Sequence, residues 1–166
     1  MELRFLEDGT VQIDEARITY KNFRGEKGPM NRDGKRKFSV IIPTPEQAEM
    51  LKRDVNEHGV AWNVKIKPPA DGYDTPFMYL EVTVNFNQYG PAVWLVSADG
   101  VKQPLSPERV GILDKMAIEK VNMDIYPYDN FTSGNHYRTA YLRCIEVYQR
   151  ANRFDRFAPE ADYNEE

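Results

Sequence analysis

The chain has one cysteine, two histidines and no patterned nucleotide-binding or hydrolase motif, and each shortage removes a class of function. A single thiol, Cys144, cannot close an internal disulfide, so a reducing compartment is the simplest expectation. His58 and His136 stand at no metal-ligand spacing from Cys144. No GxxxxGK[ST], HExxH or GxSxG pattern occurs. The glycines of Arg24-Gly25-Glu26-Lys27-Gly28 lack the lysine–hydroxyl pair of a phosphate loop. Carboxylates are plentiful, but no spacing among them points to a metal-dependent nuclease, so enzymatic activity is not expected. No apolar run approaches the roughly 20 residues that cross a bilayer, and no membrane role is expected. The first fifteen residues, MELRFLEDGTVQIDE, are acidic and lack the basic start and apolar stretch of a signal peptide, which predicts a cytoplasmic location.

What is present suits one domain with its own core: 166 residues, of which 41% are hydrophobic and 29% charged. The net charge of −4 argues weakly against a nucleic-acid partner, but it is unevenly spread. Between Tyr20 and Phe38 lie Lys21, Arg24, Lys27, Arg32, Lys35, Arg36 and Lys37 against only Glu26 and Asp33. The last twelve residues run the other way, with Asp155, Glu160, Asp162, Glu165 and Glu166 against Arg156. Residues 1–154 therefore read as the domain and 155–166 as a flexible acidic tail. Phe154 and Phe157 offer the opposing possibility of a segment docked on the domain.

Strand signals dominate the domain. They fall at 11–20, 37–42 (KFSVII, stopped by Pro43), 59–67, 77–87, 91–97, 121–128 and 139–149. Residues 77–87 have a clean period of two, with Met78, Leu80, Val82, Val84 and Phe86 on one face and Tyr79, Glu81, Thr83 and Asn85 on the other. Asp99-Gly100 marks a tight turn. Thr44-Pro45-Glu46-Gln47 is a capping box with proline at the first helical position, and the helix should run through Met50, Leu51 and Val55 to Gly59. Ser106-Pro107-Glu108 should start a short second helix holding Val110, Leu113 and Met116. The sum is a mainly β protein, an OB-fold-like antiparallel Greek-key barrel with one well-capped helix, or alternatively a β-sandwich.

Aromatic residues interleave the basic run. Single strands need both components: cations offset phosphates, and flat rings accept bases that are no longer paired. The candidate DNA-binding residues are Lys21, Phe23, Arg24, Lys27, Arg32, Lys35, Arg36, Lys37, Trp62, Lys65 and Tyr79. Tyr20 and Phe38 bracket the run. Tyr89, Tyr126, Tyr128, Phe131 and Tyr137 are further rings to consider, while Phe5, Phe86 and Trp94 are assigned to packing. Tyr79 stands out because it falls on the polar side of its strand.

The order of short motifs adds a family. Phe23-Arg24-Gly25 is followed by Asn31-Arg32-Asp33-Gly34-Lys35-Arg36-Lys37-Phe38 before an apolar strand. After a helix come Trp62-Asn63-Val64-Lys65, then residues 79–86 (YLEVTVNF) and 110–114 (VGILD). Pro127-Tyr128 and Ala140-Tyr141-Leu142 close the pattern. Over 18–148 this resembles the OB-fold single-stranded-DNA-binding proteins of tailed bacteriophages. The resemblance implies sequence-tolerant coating of single-stranded DNA in phage replication or recombination, in the host cytoplasm and without a cofactor. It also implies replication or recombination proteins as partners of the acidic tail, and it is compatible with a homo-oligomer. Asp129 departs from the pattern, which has an aromatic just after Pro127-Tyr128. A protein-interaction module, such as an inhibitor or adaptor of a host protein, is the alternative reading.

Overall fold

Residues 1–72 and 74–151 are described by the computed structural model, and strands dominate them. In chain order these are β1 (Glu2–Phe5), β2 (Val11–Ala16), β3 (Ile18–Asn22), β4 (Arg36–Ile42), β5 (Val64–Lys67), β6 (Phe77–Val84), β7 (Ala92–Val96), β8 (Lys102–Pro104), β9 (Ile118–Thr132) and β10 (Asn135–Gln149). One α-helix, α1 (Pro45–Arg53), lies between β4 and β5, and a 3₁₀ helix, Val110–Lys115, precedes β9. The acidic tail at 155–166, and with it Phe154 and Phe157, lies outside the described residues.

The strands form one open, OB-like sheet with the order β1-β2-β9-β10-β6-β4-β3, to which β5 adds on β6 and β7–β8 on β10. Pairing is antiparallel except where β10 runs parallel to β6 and to β7. β6 is flanked on one edge by β4, and on the other first by β5 and then by β10. Its burial alternates at every residue. Met78, Leu80, Val82 and Val84 face a core shared with Phe38, Val40 and Ile42 of β4, Ile125 of β9 and Leu142 of β10. Within that core Phe23 stacks on Phe38, with centroids 5.1 Å apart.

Local chemistry explains where elements stop. Thr44 caps α1 by accepting the Gln47 N–H, with Pro45 beginning the helix. The helix ends at Arg53 and does not reach Gly59. Asp54 takes an extended backbone, and its carboxylate accepts the Trp62 indole N–H at 2.8 Å. The following residues close a turn in which the Asn56 side chain accepts the N–H groups of His58 and Val60. Tertiary bonds therefore replace the next helical turn, and Gly59 serves the turn with a φ of 76°. The same turn shortens the strand expected at 59–67 to β5. The expected strand at 11–20 divides into β2 and β3, with register shifts in both pairings. β9 and β10 run longer than their sequence pattern because Ser133 and Gly134, both at positive φ, form a tight hairpin turn. The short helix expected near 106–116 forms as the 3₁₀ turn, which buries Val110 and Leu113.

Candidate nucleic-acid interface

Directly paired residues of neighbouring strands share a face, so the register around β6 specifies what lies beside its outward residues Phe77, Tyr79, Glu81 and Thr83. β5 places Lys67 opposite Phe77 and Lys65 opposite Tyr79. β4 places Lys37 opposite Thr83. β10 sets Tyr141 beside Thr83, and β9 sets Tyr126 opposite Tyr141. Tyr20 joins this face through an irregularity in β3: its φ is 50°, and the pairing with β4 shifts register between Thr19 and Asn22.

Two aromatic clusters result. In the first, the Tyr20 ring stands 5.4 Å from Tyr79 and 6.2 Å from Phe77, edge-on to both. The Lys67 ammonium donates to the Tyr20 hydroxyl at 2.7 Å, a bond that raises the lysine pKa. In the second, Tyr128 and Tyr141 stack with centroids 5.0 Å apart, and Tyr126 meets Tyr141 edge-on. The Arg143 guanidinium lies 4.8 Å from the Tyr126 ring centre. Burial pushes the Tyr141 hydroxyl pKa up, the neighbouring tyrosines add to this, and the positive charge of Arg32 opposes it. Between the clusters sits Glu81, paired with Lys37 at 3.3 Å and Lys35 at 4.0 Å.

The basic loop between β3 and β4 is anchored from below. Asp114 of the 3₁₀ helix accepts the backbone N–H groups of Phe23 at 2.6 Å and Arg24 at 3.0 Å. Lys21 returns the contact, donating to the carbonyls of Leu113 at 2.8 Å and Met116 at 2.7 Å. Burial lowers the Lys21 pKa, and the Asp114 charge partly restores it. Arg36 donates to the carbonyls of Phe23 and Pro107, with its guanidinium 5.1 Å from the Phe86 ring centre.

Of the residues expected to bind DNA, Lys35, Lys37, Lys65 and Tyr79 come together on the outer face, and Arg32 is exposed on the basic loop. Lys27 and Arg24 are exposed on the loop, Arg24 lying 3.8 Å from Glu26. Five expectations are corrected. Phe23 is fully buried against Phe38 and presents no ring face to solvent. Trp62 is 2% exposed, with its indole N–H on Asp54 and Arg138 over its ring. Lys21 and Arg36 spend their charge on the backbone carbonyls of Leu113, Met116, Phe23 and Pro107. Phe5, assigned to packing, is 37% exposed on the edge strand β1. The candidate set missed Phe77, Lys67, Tyr141 and Arg143. Two of these had a signal: Phe77 continues the alternation of Tyr79, and Lys67 continues that of Lys65.

Beyond the second cluster the β9–β10 hairpin docks on the α1–β5 turn. Arg138 makes a bidentate pair with Asp129 at 2.8 and 3.1 Å and donates to the Asp54 carbonyl. Asp129, the departure from the motif pattern, thus supports the hairpin where an aromatic would stack. The two histidines stack there, 4.1 Å apart. Among the described residues no group of three or more His, Cys, Asp or Glu side chains could hold a metal ion, and no helix is long and apolar enough to cross a membrane.

Rings and lysines on one open face of an OB-like sheet are the features by which such folds take single strands of nucleic acid. Residues 3–164 match the family described as "putative phage ssDNA-binding domain", and the chain belongs to that family. This agrees with the resemblance drawn from the motif order. The single-stranded-DNA-binding protein of bacteriophage Enc34 shares the fold: TM-score 0.54 at 14% identity, over 96% of this chain and 92% of that one. The same phage protein solved in complex with ssDNA gives a TM-score of 0.53 at 16% identity, over 90% and 92%. No curated protein matches the chain.

Two outcomes follow from the anchoring contacts. Lys21→Met leaves two carbonyls without their charged donor and should lower unfolding stability by about 1–3 kcal/mol, read from the urea midpoint. The Arg138 side chain holds the Asp129 carboxyl below its ordinary pKa of 3.8. Around that pH the unfolded chain binds a proton at this site more readily than the folded one, so the stabilisation is present above 3.8 and fades as pH falls through the lowered value. The stability gap between wild type and Asp129→Asn should therefore be wide at neutral pH and narrow in strong acid, as measured by urea unfolding across that range. A gap that stays constant with pH would show that the pair contributes nothing to stability.

Proposed function

We propose that the protein binds single-stranded DNA with little sequence preference, during phage DNA replication or recombination. The observation that carries this reading is the continuous outer face on which two aromatic clusters alternate with lysines. Bases would stack on Tyr20, Phe77 and Tyr79 at one end and on Tyr128 and Tyr141 at the other, each stack contributing roughly 1–3 kcal/mol whatever the base. Phosphates would meet Lys65 and Lys67 beside the first cluster, Arg32, Lys35 and Lys37 between the clusters, and Arg143 beside the second. The protein's net negative charge is no obstacle, because screening confines attraction to roughly 10 Å and the cations are concentrated where the strand passes. A duplex offers phosphates but hides its base faces, which is the basis for discrimination. No chemical step and no cofactor belong to this reading. The acidic residues 155–166 would recruit replication or recombination proteins by charge, within the host cytoplasm.

Fluorescence anisotropy with a labelled oligothymidine and a duplex of equal length tests the proposal. At one salt concentration the single strand should bind at least about tenfold tighter, the yield of a single ring–base stack; equal affinity would refute the reading. Arg32→Ala with Lys35→Ala should flatten the slope of log K against log salt by about 1.4, since each single-strand phosphate contributes about 0.7. An unchanged slope would remove these two side chains from the phosphate contacts.

A further inference from the structure

The most exposed apolar side chain near the strip is Met30, at 88% exposure on the tip of the basic loop. One exposed methionine on a loop is unremarkable by itself. Its setting is different, because the loop is braced at every turn. Gly28 and Asn31 exchange both backbone hydrogen bonds, at 2.9 and 3.1 Å, and close a two-residue turn that presents Pro29 and Met30. The Asn31 amide donates to three carbonyls, those of Glu26, Arg32 and Lys35. Asn22 holds Glu26 from both sides, donating to its carbonyl and accepting its N–H. The Gly34 N–H closes the base of the loop on the Gly25 carbonyl at 2.8 Å. Such bracing gives an apolar tip a defined place.

That place is over the gap between the two aromatic clusters. Lys37 rises from the outer face opposite Thr83, and its ammonium donates to the Met30 carbonyl at 3.2 Å while pairing with Glu81 at 3.3 Å. On β6, Tyr79 precedes Glu81 and Thr83 follows it, with Tyr141 beside Thr83. Tyr79 and Thr83 are four residues apart along the strand, about 13 Å. A strand of DNA that stacks on both clusters has to cross this gap beside the tip.

We propose that Met30 is a wedge that separates neighbouring bases as the strand passes from one cluster to the other. This rests on the single-strand reading above and adds a residue and an action to it. A thioether side chain is apolar, slender and polarisable, and apolar side chains of this kind insert between base steps and unstack them. The cations around the tip hold the phosphates on either side, so the strand is bent at the wedge and the bases cannot form one continuous stack across the site.

The test uses the full chain and a strand carrying one 2-aminopurine within a run of adenines, a probe whose emission rises when its neighbours unstack. Read at saturating protein, where weakened binding does not enter, wild type should raise the emission several-fold. Met30→Ala should lose at least half of that rise, and Met30→Leu should retain it. A full rise with Met30→Ala overturns the wedge. So does the absence of any rise with wild type on a strand that anisotropy shows to be bound. If wild type binds neither this strand nor oligothymidine, it is the proposed function that fails, and the two failures are told apart by the anisotropy alone.

Discussion

The two faces of β6 are the constraint on which the rest of the domain depends. Side chains on a strand alternate, so a slip of one residue would turn Met78, Leu80, Val82 and Val84 to solvent and Tyr79 and Glu81 into the core. Burial of the four apolar residues settles the matter, and with it the register of all three strands that touch β6. That register brings Lys37 from β4, Lys65 and Lys67 from β5 and Tyr141 from β10 onto the open face. The candidate interface is thus a consequence of how the core packs. The strip has no core of its own, and its rings are positioned by the apolar residues behind them.

The cations of the basic run divide into two kinds by what they touch. Lys21 and Arg36 bond backbone carbonyls and tie the loop to the 3₁₀ helix and its approach. A charge committed to two backbone carbonyls is not available to phosphate. Lys35 and Lys37 instead pair with the half-buried Glu81, Lys37 adding a single bond to the Met30 carbonyl. Pairs that water still reaches contribute modestly, so an incoming phosphate competes for both ammonium groups. Glu81 serves to keep both ammonium groups over the strip without locking them. The crossed contacts, Asp114 accepting the Phe23 and Arg24 N–H groups and Lys21 donating to the Leu113 and Met116 carbonyls, have the complementary effect, since they stiffen the loop at its root and let the tip keep its position.

Much of this organisation was legible from residue order. The period of two in 77–87 identifies the strand and both of its faces, and Tyr79 stands out correctly on the polar side. Thr44 through Gln47 announce the helix start, because a cap is made by residues within one turn of each other. The order of motifs points to the phage single-stranded-DNA-binding family, and the family match extends over nearly the whole chain. These features are local or are patterns along the chain, and they need no knowledge of which strands become neighbours.

Only the tertiary structure decided which aromatic residues are core and which are open. Tyr20 and Phe23 stand in the same basic run, yet one is exposed and the other fully buried. The shift in β3 that separates them arises from pairing with β4, which sequence spacing does not encode. The helix stops early because Asp54 finds the Trp62 indole across a turn. Tyr141 reaches the strip because β10 runs parallel to β6, a pairing between distant parts of the chain. The sequence by itself determined the alternation, the caps and the concentration of charge, since each acts between residues close along the backbone. The assignment of rings to core or surface depends on long-range pairing, where a single irregularity reverses the face of every residue beyond it.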